Sequence, residues 1–264
     1  MTLATNYMHD LHTSARIALS CLDLTSLNTH DTETDIARLC ARAQGPFGPV
    51  AAVCVWPRLA AFARAQLPAH IAVAAVANFP HGDADTEHAV RDTHTIVQSG
   101  AQEVDVVLPY KTLMAGDARA VAQLLDAVRK ACSGLLLKVI LETGELKSEA
   151  LIAQASQLGL DAGADFLKTS TGKTPVNATA EAARTMLATI AADPHAAQRV
   201  GFKASGGIRT VADAAVYLDL CSALLGPQAL TPARFRIGAS SALDDIEAIL
   251  SSSSTTTPAS AGTY

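Results

Sequence analysis

The chain reads as a (β/α)8 barrel of the TIM-barrel class, with one extra helix before the first strand and a low-complexity tail after the last helix. Two observations predict this. Short apolar runs alternate eight times with stretches of helical periodicity over roughly 250 residues, the span that such barrels need. The first run is not followed by a G-x-G-x-x-G turn, which an open doubly wound sheet with the same alternation would normally carry.

Residues 5–18 can form the opening helix, although its apolar face is weak. Residues 19–25 read as the first strand, and alternation puts Cys21, Asp23 and Thr25 on one side. The segment Asp31-Thr-Glu-Thr-Asp35 supplies capping groups for a helix to about Ala43, with Ile36, Leu39, Cys40 and Ala43 inward. Gly45-Pro-Phe-Gly-Pro49 ends it. Residues 50–56 are a continuous apolar strand of the kind a parallel sheet covers on both faces, and Pro57 opens a helix to about Gln66. Residues 71–79 form the third strand. Asp83 is then expected to cap a helix to Ser99, with Ala89, Val90, Thr93, Ile96 and Val97 as its inward stripe. Residues 103–108 form the fourth strand, before a helix carrying Val121, Leu124, Leu125 and Val128. The fifth strand spans 135–142, and the helix after it, from about Lys147 to Ala162, stops at Gly163. Residues 166–170 are the sixth strand, with Thr179 capping a helix to about Ala192. Residues 199–205 are the seventh, before a capping box, Thr210-x-x-Asp213, and a helix with Ala214, Tyr217, Leu218 and Cys221. Residues 234–238 complete the set, and Ser241-x-x-Asp244 leads the last helix, with Leu243, Ile246 and Ile249 inward. The reading is one domain, residues 1–250, and a flexible Ser/Thr-rich tail, 251–264, with nothing to pack.

Composition narrows the function. The 264 residues are 49% hydrophobic, only 17% charged and 4% aromatic, so the core is large, aliphatic and rich in alanine. A formal net charge of −5 gives no reason to expect nucleic acid or an anionic membrane as a partner. No apolar run approaches a membrane span, and there is no basic-then-apolar leader. The five cysteines lie far apart with no C-x-x-C, which fits reduced thiols in a cytoplasm and argues against a disulfide framework or zinc site. The oligomeric state stays open, with a homodimer as the candidate.

Charges inside apolar strands carry the chemistry. Asp23, Asp105, Lys138, Lys168 and Lys203 lie on the first, fourth, fifth, sixth and seventh strands. A barrel interior would bring several together, and each must be paired, neutral or functional because an unpaired buried charge is costly. Asp23 can serve a backbone neighbour or Thr25; Lys138 can serve as the partner of a barrel carboxylate or in the chemistry itself. Lys168 and Lys203 sit on adjacent strands, where like charges repel in a low dielectric. The pairing makes sense if one amine is neutral, since desolvation and a nearby cation both lower a lysine pKa and leave a nucleophile for carbonyls.

The loops after the last three strands suit an anion. Thr171-Gly-Lys173, Gly206-Gly-Ile-Arg209 and Gly238-Ala-Ser240-Ser241 offer backbone N–H groups, hydroxyls and cations, and the last two lead into helix N-termini. Barrel enzymes often bind phosphate at the loops after strands seven and eight, so the expected ligand is a small phosphorylated aldehyde or sugar.

These segments resemble the deoxyribose-phosphate aldolase family, Schiff-base aldolases on a (β/α)8 barrel. The likeness runs through Leu22-Asp-Leu-Thr25, Ala52-Val-Cys-Val-Trp-Pro57, Asn78-Phe-Pro-His-Gly82 and Glu103-Val-Asp-Val-Val-Leu-Pro-Tyr110. It continues in residues 137–147, in Gly163-Ala-Asp-Phe-Leu-Lys-Thr-Ser-Thr-Gly-Lys173, in Gly201-Phe-Lys-Ala-Ser-Gly-Gly-Ile-Arg209 and in Arg236-Ile-Gly-Ala-Ser-Ser241. Ala204-Ser205 departs from the Pro-Ala or Ala-Ala expected beside Lys203. The resemblance implies that Lys168 forms the Schiff base, Lys203 depresses its pKa, and Asp105 moves protons through a water. It implies phosphate on Lys173, Gly207, Arg209, Gly238 and Ser240, with Thr171, Gly206 and Ser241 beside them, and sugar hydroxyls near Asp23 and Thr25. It implies reversible cleavage of 2-deoxy-D-ribose 5-phosphate to acetaldehyde and D-glyceraldehyde 3-phosphate with no metal and no organic cofactor. Family members can also end in a tyrosine that visits the site, as Tyr264 would here.

The nearest rival is another Schiff-base barrel aldolase acting on a keto acid or a different sugar phosphate. A non-covalent isomerase using Asp105 and a lysine, and a barrel that only binds sugar phosphates, belong to other classes. Cys54 reads as core packing and His81 as a turn residue.

Overall fold

The structure is a computed structural model that describes residues 10–252. The expected tail and Tyr264 therefore lie outside the described residues, while Ser251 and Ser252 belong to the last helix, Ala242–Ser252.

Eight parallel strands close into a barrel in sequence order. They are β1 (Leu22–Thr25), β2 (Ala52–Val55), β3 (Ala72–Ala77), β4 (Glu103–Val107), β5 (Leu136–Ile140), β6 (Phe166–Lys168), β7 (Gly201–Ser205) and β8 (Phe235–Ala239). β8 pairs with β1 through Leu22–Ile237 and Asp23–Gly238, so no sheet edge is left open. The expected strands are all present, most of them trimmed at their ends where the chain turns into the loops, with the eighth running one residue further, to Ala239. The opening helix is Leu11–Ser20, capped by Asp10, and it packs on the last helix and on the helix Val211–Leu225.

Local chemistry explains most boundaries. Thr32 and Asp35 form a capping box for the helix Glu33–Arg42, and Thr210 and Asp213 form another for Val211–Leu225. The helix after β3 is Thr86–Gln98, and Asp85, not Asp83, is its cap, because the Asp85 carboxylate accepts the His88 N–H at 2.9 Å. Its buried residues are Ala89, Thr93 and Ile96, while Val97 turns out to solvent. Ser148 caps the helix Glu149–Asp161, which starts two residues later than expected because Lys147 has a positive φ of 61°. Asp244 turns away from the last helix to an ion pair with Arg42 at 2.7 Å.

Alternation divides each strand between two environments. The outward residues, such as Val53, Val104, Leu137, Leu167, Phe202 and Ile237, join the large aliphatic core under the helices. A small separate cluster of Leu27, Cys54, Ala74 and Val76, with Trp56 and Phe79, belongs to the barrel interior. The middle of the interior is charged. This departs from the branched aliphatic layers usual in such barrels. Low in the barrel, Phe166 fills the space that Gly201 leaves across the β6–β7 pair, where an added Cβ would lie 2.3 Å from the ring.

Gly201→Ala is accordingly expected to lower stability by about 1–3 kcal/mol through overpacking. Thermal unfolding checks it: a melting temperature several degrees below wild type is expected, and an unchanged one would show that the ring can step aside.

Candidate active site

The register of the barrel builds the site. Asp105 lies beside Lys138, Lys168 beside Lys203, and Lys203 beside Arg236. On successive strands these side chains meet inside the barrel, and each is almost or wholly buried. Asp105 is the hub. Its Oδ1 accepts Lys138 Nζ at 2.7 Å, and its Oδ2 accepts both Lys168 Nζ and Lys203 Nζ at 2.8 Å. Lys203 also donates to Asp23 Oδ2, and Lys138 to Glu103 Oε2. Arg236 closes the network from below, giving Nη1 to Asp23 Oδ1 at 2.6 Å and Nη2 to Glu103 Oε1 at 2.8 Å.

Four cationic side chains thus meet three carboxylates. One cation is in excess, and the contacts say which. Lys138 and Lys203 each reach two carboxylates by hydrogen bonds, whereas Lys168 reaches only a share of Asp105. Burial pulls the Lys168 amine below the ordinary lysine range, Asp105 opposes this in part, and the Lys203 charge adds to the depression. Burial acts on Lys203 in the same sense, but Asp105 and Asp23 outweigh it and hold that lysine charged. Lys138 is likewise pushed up by Asp105 and Glu103 against its desolvation. Desolvation alone would raise Asp105, yet Lys138, Lys168 and Lys203 together keep its carboxyl well below the usual carboxylate range. The site holds one neutral-prone amine among fixed charges.

Above this layer opens a cavity of about 410 Å3 at the C-terminal end of the strands. Lys168 reaches it, and Lys138, Lys203 and Asp105 do not. Its walls come from Thr25–Asn28, Thr171–Lys173 with Asn177, Ser205–Arg209 and Gly238–Ser241. Gly206 and Gly207 both have positive φ, at 84° and 82°, and a Cβ on Gly206 would lie 2.6 Å from Asn177. Gly238 leaves room for the lysine beneath it, since a Cβ there would lie 3.1 Å from Lys203 Cε.

The β6 loop is fastened from the neighbouring strand. Glu142, fully buried in a left-handed conformation just past β5, accepts Thr171 Oγ1 at 2.5 Å, the Thr171 N–H at 3.3 Å and Thr174 Oγ1 at 3.2 Å. Burial raises the Glu142 pKa, while the Thr171 and Thr174 hydrogen bonds pull the other way. Lys173 Nζ reaches across the cavity to the Leu27 carbonyl at 2.8 Å.

Comparison with known proteins meets this geometry. Residues 17–241 match the family described as DeoC/LacD family aldolase. The chain belongs to the DeoC/LacD aldolase family. It is 50% identical over 240 residues, 90% of this chain and 92% of the other, to a deoxyribose-phosphate aldolase from Agrobacterium fabrum. It is similar to the solved structure of a candidate deoxyribose-phosphate aldolase from Coccidioides immitis, at 32% identity and a TM-score of 0.77, covering 89% of this chain and 86% of that one. A tetrameric deoxyribose phosphate aldolase from Aeropyrum pernix is 25% identical with a TM-score of 0.71, covering 90% and 96%. This chain is thus an aldolase, a carbon–carbon lyase, and the barrel expected from its strand count is the family's scaffold.

Within this aldolase, ten residues singled out in the sequence line the cavity: Thr25, Lys168, Thr171, Lys173, Gly206, Gly207, Arg209, Gly238, Ser240 and Ser241. Asp23 and Lys138, expected near substrate, instead lie in the ionic layer beneath, both fully buried and bound to other side chains. Cys54 also lies in this interior, its thiol 4.0 Å from Asp105 Oδ2, and His81 is exposed outside the cavity. Glu103 and Arg236 were not among the strand charges anticipated. The same period of two that marks Asp105 and Gly238 as inward also marks the residues two positions earlier. Asn177 and Asn28 sit in loops whose folding gives no periodic signal, and Glu142, read as the end of the fifth strand, lies just past β5.

Lys168→Met is expected to leave the melting temperature equal to or above wild type, because it removes the excess buried amine and leaves Asp105 two lysine partners. Lys203→Met strips a cation from both Asp23 and Asp105 and is expected to cost about 3–5 kcal/mol. Thermal unfolding of the two variants side by side checks the contrast, and equal losses would contradict it.

Proposed function

We propose that this aldolase reversibly cleaves 2-deoxy-D-ribose 5-phosphate to acetaldehyde and D-glyceraldehyde 3-phosphate through a Schiff base on Lys168. One observation carries the assignment: of the three interior lysines, Lys168 alone reaches the cavity, and it is the amine whose surroundings favour neutrality. The similarity to the Agrobacterium fabrum enzyme supports the substrate.

The Lys168 amine attacks C1 of the open-chain aldehyde, and the resulting carbinolamine loses water to give an iminium ion. The C3 hydroxyl gives up its proton, the C2–C3 bond breaks, and its electrons pass into the iminium to form an enamine. Glyceraldehyde 3-phosphate leaves. Protonation of the enamine at C2 and hydrolysis of the regenerated iminium then release acetaldehyde and restore the amine. Asp105, held ionised by its lysines, takes up protons only transiently and relays them through a water to the carbinolamine hydroxyl and to C2 of the enamine. Lys203 and Lys138 are the fixed cations that keep Lys168 neutral at rest and Asp105 charged.

The phosphate belongs at the far wall of the cavity. There Lys173 and Arg209 supply charge, and the backbone N–H groups of Gly207, Gly238 and Ser240 precede the helices Val211–Leu225 and Ala242–Ser252. Thr171, Gly206 and Ser241 complete that wall, and Thr25 and Ser26 line the side where sugar hydroxyls would bind. Asp23 acts through Lys203 and Lys138 through Asp105, with no substrate contact of their own.

The five cysteines, all buried and unpaired, support a reducing, cytoplasmic setting. Light scattering separates the candidate homodimer from the tetrameric form of the Aeropyrum pernix relative.

Borohydride reduction in the presence of 2-deoxy-D-ribose 5-phosphate is expected to trap a stable adduct on Lys168, located by peptide mass spectrometry. A Lys168→Ala protein that keeps near-normal turnover would sink the proposal. In Lys203→Leu, a large fall in kcat/KM should accompany an alkaline shift of its rising limb, because losing the neighbouring cation raises the Lys168 pKa; an unmoved limb would reject Lys203's part.

A further inference from the structure

Arg236 does not meet the substrate cavity, yet it is tied through two carboxylates to the lysines that surround Asp105. It lies near the floor of the barrel, almost fully buried, with its Nε donating to the Pro232 carbonyl and its guanidinium 5.6 Å from the centre of the Phe166 ring. Both its terminal nitrogens go to carboxylates: Nη1 to Asp23 and Nη2 to Glu103. Those carboxylates are the ones that Lys203 and Lys138 share with Asp105. Arg236 is the fourth cation on three carboxylates, and a guanidinium cannot give up its proton to relieve the excess. Without it, the remaining three lysines would match three carboxylates one for one, and a protonated Lys168 would be the charge that completes the set.

We propose that Arg236 is a positioning residue that makes Lys168 the surplus amine of the interior network, and so keeps that amine free of its proton without touching it. This rests on the Schiff-base reading above and deepens it. The charged and titratable groups that face Lys168 are Asp105 on β4, Lys203 on β7 and Cys54 on β2. Those that face Arg236 are Asp23 on β1 and Glu103 on β4, with the Cys21 thiol nearby, and Arg16 and His70 line the same cavity at the floor of the barrel. Lys138 on β5 joins the two halves through Glu103 and Asp105. The influence is therefore one of net charge within a buried network, and its sign can be set by choosing which charge to delete.

Rates of borohydride trapping at Lys168, measured against pH, read the ionisation of that amine directly. Arg236→Met removes a cation, favours the ammonium form and is expected to move the trapping midpoint alkaline by about one pH unit, the effect of one charge roughly 10 Å away at an effective dielectric constant near 20. Glu103→Gln removes an anion and is expected to move it acid by a similar amount. The double variant restores the wild-type net charge and is expected to return the midpoint to near wild type, as is Arg236→Lys. A purely structural role predicts lost activity in both single variants without opposed shifts. Midpoints that stay in place, or move together, overturn the proposal. Should Arg236→Met not fold, the acid shift of Glu103→Gln remains the deciding sign, and its absence overturns the proposal equally. Wild-type protein that traps no adduct on Lys168 defeats the Schiff-base reading, whereas trapping with unmoved midpoints defeats the role of Arg236 alone.

Discussion

The interior of this barrel is organised around a mismatch: four cationic side chains around three carboxylates, all removed from water. Charges in such a place are tolerated only in pairs with good geometry, and each pair offers no great stability over an apolar filling. The network is therefore better understood as a device for setting protonation than as a source of stability. Every strand but β2 and β3 contributes a charge to it, and those two contribute the small apolar cluster with Cys54 that keeps the surroundings dry.

The parallel barrel makes this arrangement possible. Strand neighbours in register put Asp105 beside Lys138 and Lys168 beside Lys203, so two lysines on adjacent strands are held side by side. Small residues make the room. Gly238 stands over Lys203, and Gly201 yields to Phe166, so that long side chains from one strand can cross toward another. The aliphatic core outside the barrel, packed by alternate residues of the same strands, fixes their spacing.

Much of this was legible in the sequence because period and punctuation are local. Eight apolar runs gave the barrel, and lysines or aspartates inside those runs had to face each other. The Gly206-Gly207 pair and Gly238 marked the loops that suit an anion. What escaped had no such signature. Glu103 and Arg236 stand at or near strand beginnings, where a charge usually meets solvent, and only strict alternation turns them inward. Asp83 and Asp85 are equivalent as letters, and the choice of cap depends on which carboxylate reaches the His88 N–H. Asp23 and Lys138 were legible as inward charges, but their depth below the cavity depends on register across three or four strands, which the sequence of one strand does not contain. Asn177 reaches the cavity through a loop that is extended by tertiary packing, not by propensity.

Glu142 holds three donors of the β6 loop from the end of β5, and Gly144 next to it presses on Val176, where even a methyl group would lie 2.0 Å from the carbonyl oxygen. The wall that carries Lys173 is thus seated before any sugar arrives, and the ligand does not have to freeze it. Such a scaffold separates the alterable from the inviolable. Residues along the Thr25–Asn28 lip can be exchanged to reshape one side of the cavity with the ionic layer left undisturbed below, whereas a change at Glu142 or Gly144 would unseat the β6 loop as a whole.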